Sequence, residues 1–125
     1  MKKQNLGKLG ERIAQEYLLK KGYKILDLNW QAPFSGKKFG EIDIVAKNKT
    51  ICFIEVKTIA ENPDFFPEDK VDFLKKKKLK KLAEIYLIDK KIPLDAKYQI
   101  DVIGIKINPT AKKAKISYFE NALGN

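Results

Sequence analysis

The sequence contains no histidine and one cysteine, Cys52. The missing histidine removes Ser/His triads, Cys/His pairs and every nuclease design that relies on an imidazole base. The lone cysteine cannot form an internal disulfide, and the two shortages together leave no ligand set for a structural zinc. Any catalysis must therefore use carboxylates and lysines, with or without a metal ion. Cys52 lies in the apolar run Ile51-Cys52-Phe53-Ile54 and reads as a small, inert core residue. No apolar stretch is long enough for a signal peptide or a membrane span, so the chain is expected to stay in the cytoplasm, away from membranes.

What is present is lysine. Lysine and arginine outnumber aspartate and glutamate 26 to 16, a formal charge of +10 on 125 residues. Such an excess favours polyanionic partners, with DNA the leading candidate, although it also keeps a small protein in solution. With 44% apolar residues the chain can build one core, and residues 1–125 are read as one domain.

Leu6, Leu9, Ile13, Tyr17 and Leu18 recur at helical spacing and Gly22 follows as a left-handed cap, which predicts a helix over 5–21. A strand from Tyr23 to Trp30 comes next, then a loop over Gln31 to Phe39 whose Lys37 and Lys38 make it basic. Residues 41–46 and 51–58 form a β-hairpin around Lys47-Asn48-Lys49-Thr50. A loop with Asn62-Pro63 and Pro67 leads to a second helix from about Glu68 to Ile88, with Val71, Leu74, Leu79, Leu82 and Tyr86 inward. Strands over Tyr98 to Ile107 and Lys115 to Phe119 complete the order αβββαββ. The class is α/β, with helices flanking a mixed central sheet.

The hairpin carries the chemistry. Alternation puts Ile42, Ile44 and Ala46 on one face and Glu41, Asp43 and Val45 on the other. In the next strand Cys52, Ile54 and Val56 oppose Phe53, Glu55 and Lys57, with Glu55 and Lys57 roughly 7 Å apart. Burying both apolar faces together pairs Ile44 with Ile54, Asp43 with Glu55 and Glu41 with Lys57, across a loop of odd length. Opposed carboxylates repel unless a cation lies between them. Magnesium, with its hard oxygen ligands and few protein contacts, suits the Asp43 and Glu55 pair, and manganese is an alternative. A solvated charged face with a cross-strand ion pair is the competing reading, but Val45, Ile51 and Phe53 continue that face as apolar residues, which suits a cleft. Glu11 joins the set from the edge of the first helix's apolar stripe, beside Gly7, Ala14 and Leu18, whose small members let the helix approach closely.

Taken in order, Gly10-Glu11, Gly22-Tyr23, Asn29-Trp30, Gly40-Glu41-Ile42-Asp43 and Phe53-Ile54-Glu55-Val56-Lys57-Thr58 resemble the YraN family of predicted endonucleases, related to archaeal Holliday junction resolvases. The wider resemblance is to the PD-(D/E)XK nuclease superfamily, and it spans nearly the whole chain. It implies a restriction-endonuclease-like three-layer fold. It also implies metal-dependent hydrolysis of phosphodiester bonds in DNA, branched or junction DNA among the candidates. Carried over by position, Asp43 and Glu55 bind the metal, Glu11 completes or orients its shell, Lys57 positions the attacking water and stabilises charge, and Glu41 is auxiliary. A homodimer follows by analogy with junction resolvases, and no small-molecule cofactor is expected. Two positions depart from the pattern. Ile42 stands where the superfamily's proline would be, and Ile59 where arginine often follows the Lys-Thr pair, weakening phosphate contact there.

The general base is left open among Lys57, a carboxylate and a substrate phosphate. On the second helix, Lys75 and Lys78 fall within the apolar sector while Lys76 and Lys77 project outward, so the first two are read as phosphate contacts or as stems snorkelling into water. Trp30 and Phe34 are read mainly as packing residues, with stacking on unpaired bases the minor alternative. Asp101 interrupts an apolar strand, either as a structural residue paired with a lysine or as part of the cleft. The rival function is a noncatalytic nucleic-acid-binding module, against which the complete Asp43, Glu55 and Lys57 set speaks.

Overall fold

A computed structural model describes residues 3–35, 37–60, 73–108 and 110–122, with only the backbone of residues 3–5, 37 and 73–76. The heptad-like apolar spacing of the N-terminal segment produces α1 (Lys3–Lys20), whose Leu6, Leu9, Ile13, Ala14, Tyr17 and Leu18 line its inner face. Its end is fixed by Gly22 at φ 89°: the Gly22 N–H donates to the Leu19 carbonyl at 3.1 Å and the Tyr23 N–H to that of Leu18 at 2.9 Å. This is a Schellman closure, which glycine adopts without steric cost.

Five strands follow: β1 (Lys24–Trp30), β2 (Ile42–Lys47), β3 (Ile51–Ala60), β4 (Tyr98–Asn108) and β5 (Lys113–Phe119), with α2 (Phe73–Asp89) between β3 and β4. Among the described residues the element order is the expected αβββαββ, with a 3-10 turn at Lys37–Phe39 added in the β1–β2 loop. The expected loop through Asn62-Pro63 and Pro67, and the expected first turn of α2 from Glu68, lie outside the described residues.

The strands form one sheet in the order β1-β2-β3-β4-β5, antiparallel except for the parallel β3–β4 pair, which runs from Ile51–Tyr98 to Ala60–Ile107. That pair explains the nearly continuous apolar sequence of β3 and β4. A parallel pair made by a helical crossover sits mid-sheet and is covered on both faces. One face packs Ile44, Ala46, Cys52, Ile54, Val56, Ile103 and Ile105 against α1. The other packs Val45, Ile51, Phe53 and Ile100 against Leu79, Leu82, Ala83, Tyr86 and Leu87 of α2. Burying each such side chain contributes roughly 1.5–3 kcal/mol before chain entropy is counted.

The hairpin register is the expected one, with Ile44 opposite Ile54 and Lys47 opposite Ile51 across an odd three-residue connection. Two expectations need correction. The ladder stops at Ile44–Ile54, so neither Asp43 with Glu55 nor Glu41 with Lys57 forms a paired rung. Ile42 also leaves the face it was expected to share with Ile44 and Ala46, and packs on the α2 side. The cause lies across the sheet, where Asn29 of β1 adopts φ 48°. Leu28 pairs with Ile44 and Trp30 with Ile42, but the left-handed residue between them reverses the alternation, so Trp30 and Ile42 turn together toward α2.

Candidate functional site

The reversal at Asn29 and the end of the β2–β3 ladder fall at the same level of the sheet, where four acidic side chains gather. Asp43 leaves β2 at the point where rungs cease, and its Oδ2 accepts the Val56 N–H of β3 at 2.8 Å in place of a backbone partner. Glu55, the preceding residue of β3, is 6% exposed. Burial first, then the charge of Glu55, pushes the Asp43 carboxyl up to about 8, with Glu11 and Glu41 adding to the rise and the Val56 N–H opposing it. The sheet thus places Asp43 in a field of other carboxylates with one backbone donor against them.

Glu11 reaches this level because α1 lies unusually close to β3. A Cβ on Gly10 would stand 1.8 Å from the Thr58 Oγ1 and 2.7 Å from the Thr58 Cβ. Hydrogen alone fits there. The small residue that admits the helix is therefore Gly10 rather than Gly7, around which there is open space. Asn29 ties the acidic groups together, its Nδ2 donating to Glu11 Oε1 at 2.8 Å and to Glu41 Oε1 at 3.3 Å. Gln31 Nε2 holds the other Glu41 oxygen at 3.2 Å. These two amides were not singled out from the sequence as site residues. The signal was available only as Asn29's place in a motif, since a left-handed asparagine inside a strand is not legible from one sequence.

Lys57 follows two residues after Glu55 on β3, half-buried, and shares that residue's side of the strand by alternation. The structure therefore brings Glu11, Glu41, Asp43 and Glu55 to one end of the sheet, with Lys57 on the strand that carries Glu55. Their fit to a divalent cation can be judged from the donors. All are hard oxygens, and the strained ionisation of Asp43 is what a bound cation would relieve. Among the described residues no three acidic or thiol side chains converge closely enough to enclose an ion. The arrangement that fits is accordingly ligation by Asp43 and Glu55, with water and substrate oxygens in the remaining positions.

Other candidates resolve individually. Asp101 is fully buried on β4, yet it accepts Gln99 Nε2 at 2.9 and 3.1 Å, the Asn121 N–H at 2.8 Å and the Tyr118 hydroxyl. Neutral donors, rather than the lysine considered from sequence, hold it, and its role is structural. Cys52 is buried, and burial pushes its thiol up to about 12, as suits an inert core residue. Trp30 packs edge-on against Tyr86 at 5.1 Å and is core, whereas Phe34 is 72% exposed.

Lys38 and Lys78 are exposed and line one groove of about 810 Å³. The side chains of Lys37 and Lys75 lie outside the described residues. Lys77, expected to project outward, also lines the groove. The buried stripe of α2 runs through Leu79, Leu82, Ala83, Tyr86 and Leu87, so Lys78 lies beside that stripe and is exposed rather than part of an apolar sector, while Lys77 lies on the far side of the helix, outward as expected.

Fold and site define a mixed α/β protein, with five strands and two helices among the described residues and an acidic cluster at one end of its sheet. Residues 10–105 match the model of the Uncharacterised protein family UPF0102, and the chain belongs to that family, the YraN family to which its motifs point. The UPF0102 protein of Thermodesulfovibrio yellowstonii is 43% identical over 120 residues, covering 94% of each chain. That of Caldanaerobacter subterraneus subsp. tengcongensis is 40% identical over 110 residues, 86% of this chain and 84% of its own. That of Dictyoglomus thermophilum is 38% identical over 124 residues, 98% of this chain and 99% of its own. No helix among the described residues is long and apolar enough to cross a membrane.

Proposed function

We propose that the protein is a metal-dependent endonuclease of restriction-endonuclease-like fold that hydrolyses phosphodiester bonds in DNA, with branched DNA a candidate substrate. The observation that carries this reading is the partly buried Asp43 carboxyl, crowded by Glu55, Glu11 and Glu41 where the β2–β3 ladder ends. A structural role would provide donors, as it does for Asp101. Three acidic neighbours around one partly buried acid make its ionised form costly unless a cation joins them, a cost that binding function explains.

Asp43 and Glu55 hold a magnesium or manganese ion, and Glu11 completes or orients the shell through the Asn29 bridge. Bound there, the cation supplies neutralisation of phosphate charge and a more acidic water. The protein's own groups supply the rest. The Val56 N–H fixes one Asp43 oxygen, leaving the other to the ligand site. Lys57 donates to the attacking water or to a phosphate oxygen, stabilising the negative charge that grows as the bond breaks. Glu41, clamped by Asn29 and Gln31, keeps the wall of the site in place. Lys38 and Lys78, with Lys37 and Lys75 on the same segments, contact substrate phosphates. The excess positive charge of the chain favours a polyanion throughout.

The test is to incubate purified protein with labelled branched, duplex and single-stranded DNA in magnesium, manganese or EDTA, beside the Asp43→Ala variant. The expected result is cleavage that needs a divalent cation and is lost in the variant. Binding without cleavage of any substrate by the wild-type protein would replace this reading with the noncatalytic binding module.

A further inference from the structure

Both ends of the β1–β2 loop are tied to the acidic cluster, because Gln31, where the loop leaves, donates to Glu41, where it returns. Between these anchors the loop raises Phe34 and Phe39, which are 72% and 48% exposed, with ring centroids 6.0 Å apart and planes at 68°. The pair packs on itself and belongs to neither hydrophobic cluster of the sheet. Among the described residues, these two phenyl rings are held at the surface without a partner that buries them. α2 forms the facing wall of the groove and contributes Lys77, Lys78 and Lys81, while Lys38 comes from the loop itself. Five lysines stand against one glutamate along the groove's lining. Cβ atoms three and four apart on a helix are roughly 5–6 Å apart, so Lys77, Lys78 and Lys81 stand at neighbouring places along the groove.

Charge alone would suit any polyanion, and the rings narrow the choice. In a duplex the base faces are stacked on one another, and only phosphates, sugars and base edges meet the protein. Exposed phenyl rings have nothing to stack on there. An unpaired strand presents both phosphates and open base faces, which matches lysines facing an aromatic pair. We propose that this groove binds single-stranded DNA, its phosphates on Lys38, Lys77, Lys78 and Lys81 and its bases on Phe34 and Phe39, and leads that strand to the Asp43 and Glu55 end of the sheet. The leading step rests on the hydrolytic reading above, whereas binding in the groove does not. The substrate class implied is DNA with an unpaired arm, such as a flap or a frayed junction.

The experiment measures fluorescence anisotropy of a dye-labelled oligothymidylate and of a duplex of equal length, both in EDTA. It uses wild-type protein, the Phe34→Ala/Phe39→Ala double variant and the Lys78→Gln/Lys81→Gln double variant. All four positions are exposed, and a urea midpoint close to wild type checks that each variant folds. The wild type binds the single strand more tightly than the duplex. The aromatic variant loses about tenfold or more in single-strand affinity and stays within about twofold of wild type on the duplex. The lysine variant loses affinity for both and has a shallower salt dependence. Unchanged single-strand binding by the aromatic variant, or equal losses on both ligands, overturns the proposal.

A parallel incubation of a flap substrate with magnesium separates the two readings. A wild-type protein that shows the predicted binding pattern but cuts nothing leaves the groove standing and removes the hydrolysis. One that cuts the flap while the aromatic variant binds and cuts like wild type removes the groove and leaves the hydrolysis.

Discussion

Asp43 and Asp101 are acidic residues set into one sheet two strands apart, and their surroundings differ in kind. Around Asp101 the protein supplies an amide, a hydroxyl and a backbone N–H, so a buried acid is surrounded by donors. Around Asp43 it supplies one backbone N–H and then Glu55, Glu11 and Glu41, which raise the cost of ionising it. A fold that can satisfy one buried carboxyl with neutral groups has the means to satisfy another. That it crowds the second with like charge instead is what the proposed cation site would explain, since crowded carboxylates are relieved where something positive completes them.

Removing the satisfied acid should have the largest effect on stability. Asp101→Leu leaves the Tyr118 hydroxyl, the Asn121 N–H and the Gln99 amide without their acceptor, and is expected to cost about 3 kcal/mol or more in urea unfolding. A loss under about 1 kcal/mol would show that the network contributes little and would weaken the contrast.

Gly10→Ala should follow closely, at roughly 2–3 kcal/mol, because its methyl would meet the Thr58 side chain and α1 must shift. The two costs differ in consequence. The shift of α1 displaces Glu11 and lowers divalent-cation affinity, while Asp101→Leu, measured where it is still folded, leaves that affinity intact. Equal cation affinities in the two variants would mean that Glu11 takes no part.

Asp43→Asn should act in the opposite direction and by less, since the amide still offers an oxygen to the Val56 N–H and removes the charge conflict. The folded carboxyl titrates near 8 against an ordinary value of 3.8, so the folded state holds its proton more tightly than the unfolded chain. The stabilisation from this group is therefore complete below about 3.8, declines as pH rises, and is gone above about 8. Without divalent cation the variant is expected to exceed wild type by about 1–2 kcal/mol at pH 8 and to converge on it near pH 4. Unfolding in urea across that range reads the difference. A variant less stable than wild type at pH 8 would place Asp43 with Asp101 as a structural residue.

The sequence made the frame of this contrast legible because period and parity are strong signals. Apolar alternation in the hairpin fixed the Ile44–Ile54 register, and the long apolar runs of β3 and β4 marked a doubly covered pair. The candidate residues Glu11, Glu41, Asp43 and Glu55, which the structure brings to one end of the sheet, are legible from motif and, in the hairpin, from parity. What could not be read depends on tertiary geometry. Asn29 reverses β1 through a backbone angle that no residue pattern announces, and this carried Ile42 to the face opposite the one its parity implied. Gly7 and Gly10 look alike on a helical wheel, and only the position of Thr58 distinguishes them. Lys77 is exposed as its outward reading implies, but Lys78 is exposed too, because the buried stripe follows Leu79, Ala83 and Leu87 rather than the sector of Leu74, Leu82 and Val71 in which Lys78 would fall.

Calorimetric titration of the wild-type protein and the Asp43→Asn variant with magnesium and manganese at pH 7, in buffers of differing ionisation enthalpy, tests the cation site most directly. Saturable binding by the wild type with release of about one proton per ion, absent in the variant, is the predicted result, because the ion must displace the proton that Asp43 holds at this pH. No binding heat in the wild type, or equal binding by the variant, would contradict the claim that this end of the sheet is built for a metal ion.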